Sequence, residues 1–216
     1  MLGGTARLTN VTISGNVAGD GGDGGSGGNN TGGFLPGPGG DAGDGGDAGR
    51  GGGIAAVAGA VDLVAVTVTR NAAGLAGTEG YPGFGTSSGA HGTPGTPTTS
   101  SGLAGAGGTI TVTASIVAAQ AVGADCEGAV TSGGANVERT TSCGFAGPGD
   151  VGDVAPGLWP LGDHGGPTPT HQLGPSSPAV DRVPIGVGGC GTTLVVDQRG
   201  SPRPVHGACD AGAVER

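Results

Sequence analysis

Three segments of the chain repeat one another, and no other feature restricts the fold as much. They run over residues 5–16, 60–71 and 109–120. Leu8, Leu63 and Val112 share one position, and Ile13, Val68 and Val117 share another. Asn16, Asn71 and Gln120 close each unit with an amide. The offsets between units are 55 and 49 residues. Each unit is short, Thr-rich and β-branched, with stretches of the two-residue alternation of a strand. One such unit cannot bury its own apolar side, but stacked units can, which is the logic of a solenoid. The expected class is all-β: a short right-handed parallel β-helix whose corner amides bond to each other and to backbone. A β-sandwich of short strands is the alternative. The repeated amide, and insertions falling at one point of the repeat, favour the solenoid.

Glycine fills the gaps between units. Residues 19–53 hold 19 glycines in 35 positions, and residues 74–108 hold 12 in 35. Taking such an insert out of each offset leaves about 20 and 14 residues, near or below one coil. Across the whole chain, Leu, Ile, Val and Phe make up about 18%, below the roughly 20% usual for globular proteins. That average mixes a β-rich chain with two inserts too poor in apolar residues to fold alone. The expected domains are therefore 1–146, coils with glycine-rich inserts at 19–53 and 74–108, and 147–216, an irregular tail. Asp20, Asp23, Asp41, Asp44 and Asp47 punctuate the first insert. Carboxylates on a flexible loop are weak Ca²⁺ candidates. The nonapeptide Ca²⁺ repeat, however, needs an apolar residue that is missing here. Triplet glycine suggests collagen or polyglycine helices, but the acidic repeats lack proline and are too short for a stable triple helix. The expectation is a solvated loop without a metal.

From about Gly147 the repeat stops and turn-forming residues dominate. Four phrases stand out: Gly162-Asp-His-Gly-Gly-Pro-Thr-Pro-Thr-His171, Ser177-Pro-Ala-Val-Asp181, Asp197-Gln-Arg-Gly-Ser-Pro-Arg203 and Cys209-Asp-Ala-Gly-Ala213. Together with the Gly51-Gly-Gly-Ile54 start and strands such as Leu8-Thr-Asn-Val-Thr-Ile-Ser-Gly-Asn16, they resemble the choice-of-anchor Q domain proteins. Val214 stands where that family usually has Tyr, and His164 where it has Asn. The resemblance implies a secreted or surface bacterial protein with a pectate-lyase-like β-helix. No charged and apolar leader is visible at Met1, so the start is expected to be truncated or mis-started, or the chain to be a fragment of a longer secreted protein.

Four cysteines, Cys126, Cys143, Cys190 and Cys209, lack the short C-x-x-C spacing of zinc sites. The preferred reading is two local disulfides, Cys126–Cys143 and Cys190–Cys209, formed in an oxidising compartment. Four free thiols, or another pairing, are the alternatives. Asp163, His164 and His171 form a carboxylate–imidazole group whose turn-rich setting argues for structural bonding. Asp197, Arg199, Arg203, Asp210 and Glu215 are expected to form an internal salt-bridge cluster, since arginine forks pair carboxylates bidentately.

A net charge of −9 and 2% aromatics exclude a phosphate-tracking, base-stacking nucleic-acid binder. No apolar run approaches a membrane span. Polysaccharide cleavage needs clustered acids and cations on one face. The repeat units offer Asp62, Arg7 and Arg70, without lysine or a carboxylate pair. His91 lies in a glycine tract. The expected function is a non-catalytic, secreted or cell-surface structural protein of adhesive type, with no cofactor and a cell-surface glycan or protein as partner. The alternative is a carbohydrate-active β-helix, lyase- or hydrolase-like, whose catalytic coils lie elsewhere.

Overall fold

The computed structural model describes residues 3–33, 35–118, 120–121 and 123–216. These residues divide into two compact units. One comprises residues 3–17, 51–72 and 100–216; the other comprises 18–50 and 73–99.

The first unit is all-β. Its strands are β1 (Thr5–Ser14), β2 (Ile54–Ala55), β3 (Ala60–Thr69), β4 (Ser100–Thr113), β5 (Ile116–Ala118), β6 (Ala124–Gly134) and β7 (Val137–Glu138). All strand pairs in the sheet are parallel. Leu8 pairs with Leu63 and Ile13 with Val68. Leu63 then pairs with Val112, and Val68 with Val117. The register is therefore that of the sequence repeat. A further turn of chain follows, with Ile110 opposite Val130 and Ile116 opposite Val137. Register shifts along β4 and β6 hide that turn from a position-by-position alignment.

Each turn bends at a residue with positive φ: Asn10 (54°), Ala65 (53°), Ala114 (52°) and Ala135 (57°). For a residue with a Cβ this conformation costs roughly 1–2 kcal/mol. The cost is recovered because the bend re-aims the chain while the apolar side chains stay inward. Leu63, Val66, Val68, Leu103, Ile110, Val112 and Val117 are fully buried in one cluster. Burying each such side chain contributes roughly 1.5–3 kcal/mol.

Amides fill the corner. Asn16 Nδ2 donates to Asn71 Oδ1 at 3.0 Å, and Asn71 Nδ2 to Gln120 Oε1 at 3.3 Å. Backbone N–H groups of Asn16 and Asn71 donate to the same acceptors. A second ladder follows the positive-φ bend. Val66 N donates to Ser115 Oγ, Ser115 N to Asn136 Oδ1 and Asn136 N to Asp150 Oδ1. Interior backbone donors thus find partners where strand pairing breaks.

The tail is irregular but not peripheral. Leu173, Ala179, Val183, Ala211 and Val214 bury against Ile116 and Val137 in a second cluster. Isolated antiparallel bridges, such as Leu158 with Leu173 and Val183 with Cys209, tie it together. Gly212 N donates to Ala114 O and Ala213 N to Thr67 Oγ1.

The second unit corrects the expectation of solvated loops. Its glycine tracts form four extended runs, about 19–30, 39–49, 74–84 and 87–96, joined by backbone hydrogen bonds at every third residue. Gly21, Gly24 and Gly27 donate to the carbonyls of Leu75, Thr78 and Tyr81. Gly40, Gly43, Gly46 and Gly49 donate to Gly28, Gly25, Gly22 and Gly19. Gly74, Gly77, Gly80 and Gly83 donate to Gly49, Gly46, Gly43 and Gly40. The fourth run accepts from Gly39, Ala42, Gly45 and Ala48, and donates back to the third through Gly89, Gly92 and Gly95. A three-residue period is that of the polyproline-II helix, which has no internal hydrogen bonds and must bond sideways. Low apolar content does not prevent order here, because backbone pairing takes the place of a greasy core.

Candidate functional site

The five aspartates of the first tract sit at the third position of successive triplets, one per turn of their run. Asp20 accepts the Leu75 N–H at 2.7 Å, and Asp41 accepts that of Ala90 at 2.7 Å. Asp23 takes both the N–H and the hydroxyl of Thr78, at 2.9 and 2.8 Å. Asp44 takes the same pair from Thr93, and Asp47 takes the Thr96 N–H. These backbone donors hold the carboxyls of Asp23, Asp44 and Asp47 below the usual carboxylate range. The weak Ca²⁺ candidates are therefore lateral clasps between neighbouring runs. Among the described residues, no three His, Cys, Asp or Glu side chains converge as a metal site.

Cys126 is bonded to Cys143 and Cys190 to Cys209, and all four residues are buried. Beside the first disulfide lies an acidic pair that spacing alone does not reveal. Asp125 and Glu138 are each 1% exposed. The Thr140 hydroxyl sits 2.9 Å from Asp125 Oδ2 and 3.3 Å from Glu138 Oε1. Burial raises both carboxyls, and Asp125 pushes Glu138 further up.

In the tail, Arg203 Nε meets Glu215 Oε2 at 2.8 Å, with both side chains 1% exposed. Arg199 forks onto Asp197 Oδ2 through Nε and Nη2, at 2.9 and 2.8 Å. Glu215 N donates to Asp197, and Arg203 reaches Gly212 O and Asn10 Oδ1. Asp210 accepts the N–H groups of Asp181 and Arg216. Burial raises the carboxyls of Asp210 and Glu215. The group joins the chain's last residues to β1.

Asp163, His164 and His171 do not form one site. Asp163 accepts the Gly165 N–H, and His164 Nε2 lies 3.3 Å from Pro160 O. His171 is buried, with Nδ1 2.7 Å from Trp159 O and Nε2 2.9 Å from Ser14 Oγ. A carbonyl can only accept, so Nδ1 carries the proton and Nε2 accepts from the Ser14 hydroxyl. Burial lowers the imidazole's affinity for a second proton. This is a nucleophile–base–orienter contact in outline. At 1% exposure, however, His171 is closed off from any leaving group, and the contact pins the tail to β1. In the coils, Asp62 pairs with Arg7 on one side and Thr111 on the other.

The second unit carries a groove. The third and fourth runs are antiparallel, and their buried glycines Gly77 and Gly95, bonded at 2.9 Å, floor a depression of about 500 Å³. Ala76 and Glu79 line it from one run, and Pro94 and Pro97 from the other. Tyr81, 70% exposed, completes it and meets the His91 ring edge-on, with centroids 6.1 Å apart.

Comparison with family models, with curated proteins and with solved structures found no match to this chain. Among the described residues no helix is long and apolar enough to cross a membrane.

Proposed function

We propose that this chain is a non-catalytic, secreted or cell-surface structural protein of adhesive type, built on a short right-handed parallel β-helix with a choice-of-anchor Q tail. The parallel register, the recurring positive-φ bend and the corner amide ladder support the solenoid. The two buried disulfides fit an oxidising, extracytoplasmic setting.

The observation that carries the functional reading is how the ionisable groups are used. The tract aspartates clasp backbone, the tail arginines and acids bind one another, and His171 is closed over by the tail. A catalytic cleft needs titratable groups that converge where a substrate can reach them. These groups converge on the protein itself. The test is incubation of the purified chain with pectate, alginate and neutral glycans, with and without Ca²⁺. No unsaturated or reducing ends should be released. Release at a rate abolished by Asp62→Ala or Ser14→Ala would establish the carbohydrate-active reading instead.

A further inference from the structure

We propose that the groove between the third and fourth glycine runs is a binding site for a neutral, extended β-1,4-linked hexose chain. The inference rests on the adhesive reading and gives it a site and a ligand class. Three features of the groove point the same way.

The first is its wall chemistry. Tyr81, Pro94 and Pro97 are rigid rings, all exposed, set over a buried glycine floor. Rings of this kind take the C–H faces of a pyranose and lose little side-chain entropy in doing so. The Tyr81 ring is held edge-on by His91, and its hydroxyl supplies a polar end. Glu79 places an acceptor on the same groove for sugar hydroxyls, and the Thr78 oxygen, whose proton goes to Asp23, can add a second.

The second is charge. Residues 18–50 and 73–99 contain five aspartates and Glu79 against Arg50 as the lone arginine. Such a surface repels uronates, sulfates and phosphates. The groove itself is lined by one carboxylate, Glu79, while the aspartates each accept a backbone N–H of a neighbouring run. A single charge among rings suits a neutral polyhydroxyl chain better than a strongly basic peptide.

The third is spacing. Equivalent positions on a polyproline-II run recur about every 9 Å, three residues at roughly 3.1 Å each. Pro94 and Pro97, and Ala76 and Glu79, are successive positions of this kind. That interval is close to the length of a β-1,4-linked disaccharide, so one disaccharide unit lying along the runs spans Pro94 to Pro97 on one wall and Ala76 to Glu79 on the other.

Titration calorimetry of the full chain with cellohexaose tests the proposal, with tri-galacturonate and hexa-arginine as the other arms. Cellohexaose should bind saturably and tri-galacturonate should not. Tyr81→Ala should weaken cellohexaose roughly tenfold, the size expected for losing a stacked ring. Because Tyr81 is 70% exposed, that variant keeps the melting curve of the parent. Absence of saturable cellohexaose binding overturns the site. Binding that survives Tyr81→Ala also overturns it, while leaving the adhesive reading in place. Hexa-arginine binding that is lost in Glu79→Gln would assign the groove to a basic peptide and overturn the glycan. Cleavage of cellohexaose would instead overturn the non-catalytic reading.

Discussion

Gly24 and Gly25 are neighbours with opposite tolerances. A Cβ on Gly24 would collide with the carbonyl of Gly43 and the nitrogen of Gly80. A Cβ on Gly25 meets nothing within 4 Å, and Gly25 does not have positive φ. Gly24→Ala should therefore force two runs apart and destabilise the second unit by about 1–3 kcal/mol, the range for overpacking. Gly25→Ala should be neutral, or stabilise by about 0.4–1 kcal/mol through the unfolded chain. Parallel denaturant melts of the two variants check this, and equal losses would refute the close-packed arrangement. Glycine at position 24 is required by the approach of another backbone, not by turn geometry. Triplet spacing displays the periodicity, but it does not tell which glycine of a pair faces a neighbour.

The two sets of elements respond to acid in opposite ways. In the glycine runs, Asp23, Asp44 and Asp47 have depressed carboxyls because they accept N–H bonds. A depressed group contributes stability above its unfolded value, 3.8 for aspartate, and that stability is lost as pH falls through the lower folded value. In the sheet unit, Asp125, Glu138, Asp210 and Glu215 are raised by burial. A raised group favours the folded state below its unfolded value, and this advantage fades as pH rises through the folded value. Acidification below about pH 4 should loosen the runs while these sheet-unit carboxyls gain protons that suit their burial. Hydrogen exchange resolved by segment should show protection lost first in 19–49 and 74–96. Earlier loss in β3 and β4 would contradict it. Deleting residues 21–49 tests the same elements from another side. The third run then loses its acceptors Gly40, Gly43, Gly46 and Gly49, so residues 73–99 should become rapidly cleaved by a non-specific protease. Unchanged resistance would mean those residues hold themselves.

For the whole molecule, the disulfides are the clearest handle. Cys126–Cys143 and Cys190–Cys209 span 17 and 19 residues. Loops of that length are each worth roughly 3 kcal/mol in the chain-entropy model. Replacing Cys190 and Cys209 together with Ser should lower the melting temperature of the sheet unit by several degrees. Mass mapping of the parent under non-reducing conditions should link only these partners. A Cys126–Cys190 peptide, or four alkylatable thiols, would refute the connectivity and the oxidising setting with it. Much of the sheet was legible in residues 5–16, 60–71 and 109–120, since a strand that must bury one face states its register in its apolar positions. The corner amides were legible for the same reason: a buried donor needs a partner of fixed length at a fixed place. The last turn, Ala124–Glu138, was not, because bulges displace its pairing. Nor were Asp125 with Glu138, or Ser14 with His171, whose meetings depend on how distant segments fold back. The glycine tracts mark the boundary most sharply. Their sequence determined a three-residue period and an inability to build an apolar core. That four such runs would satisfy one another's backbone was decided only in three dimensions, because sideways hydrogen bonding belongs to neighbours that no single run contains.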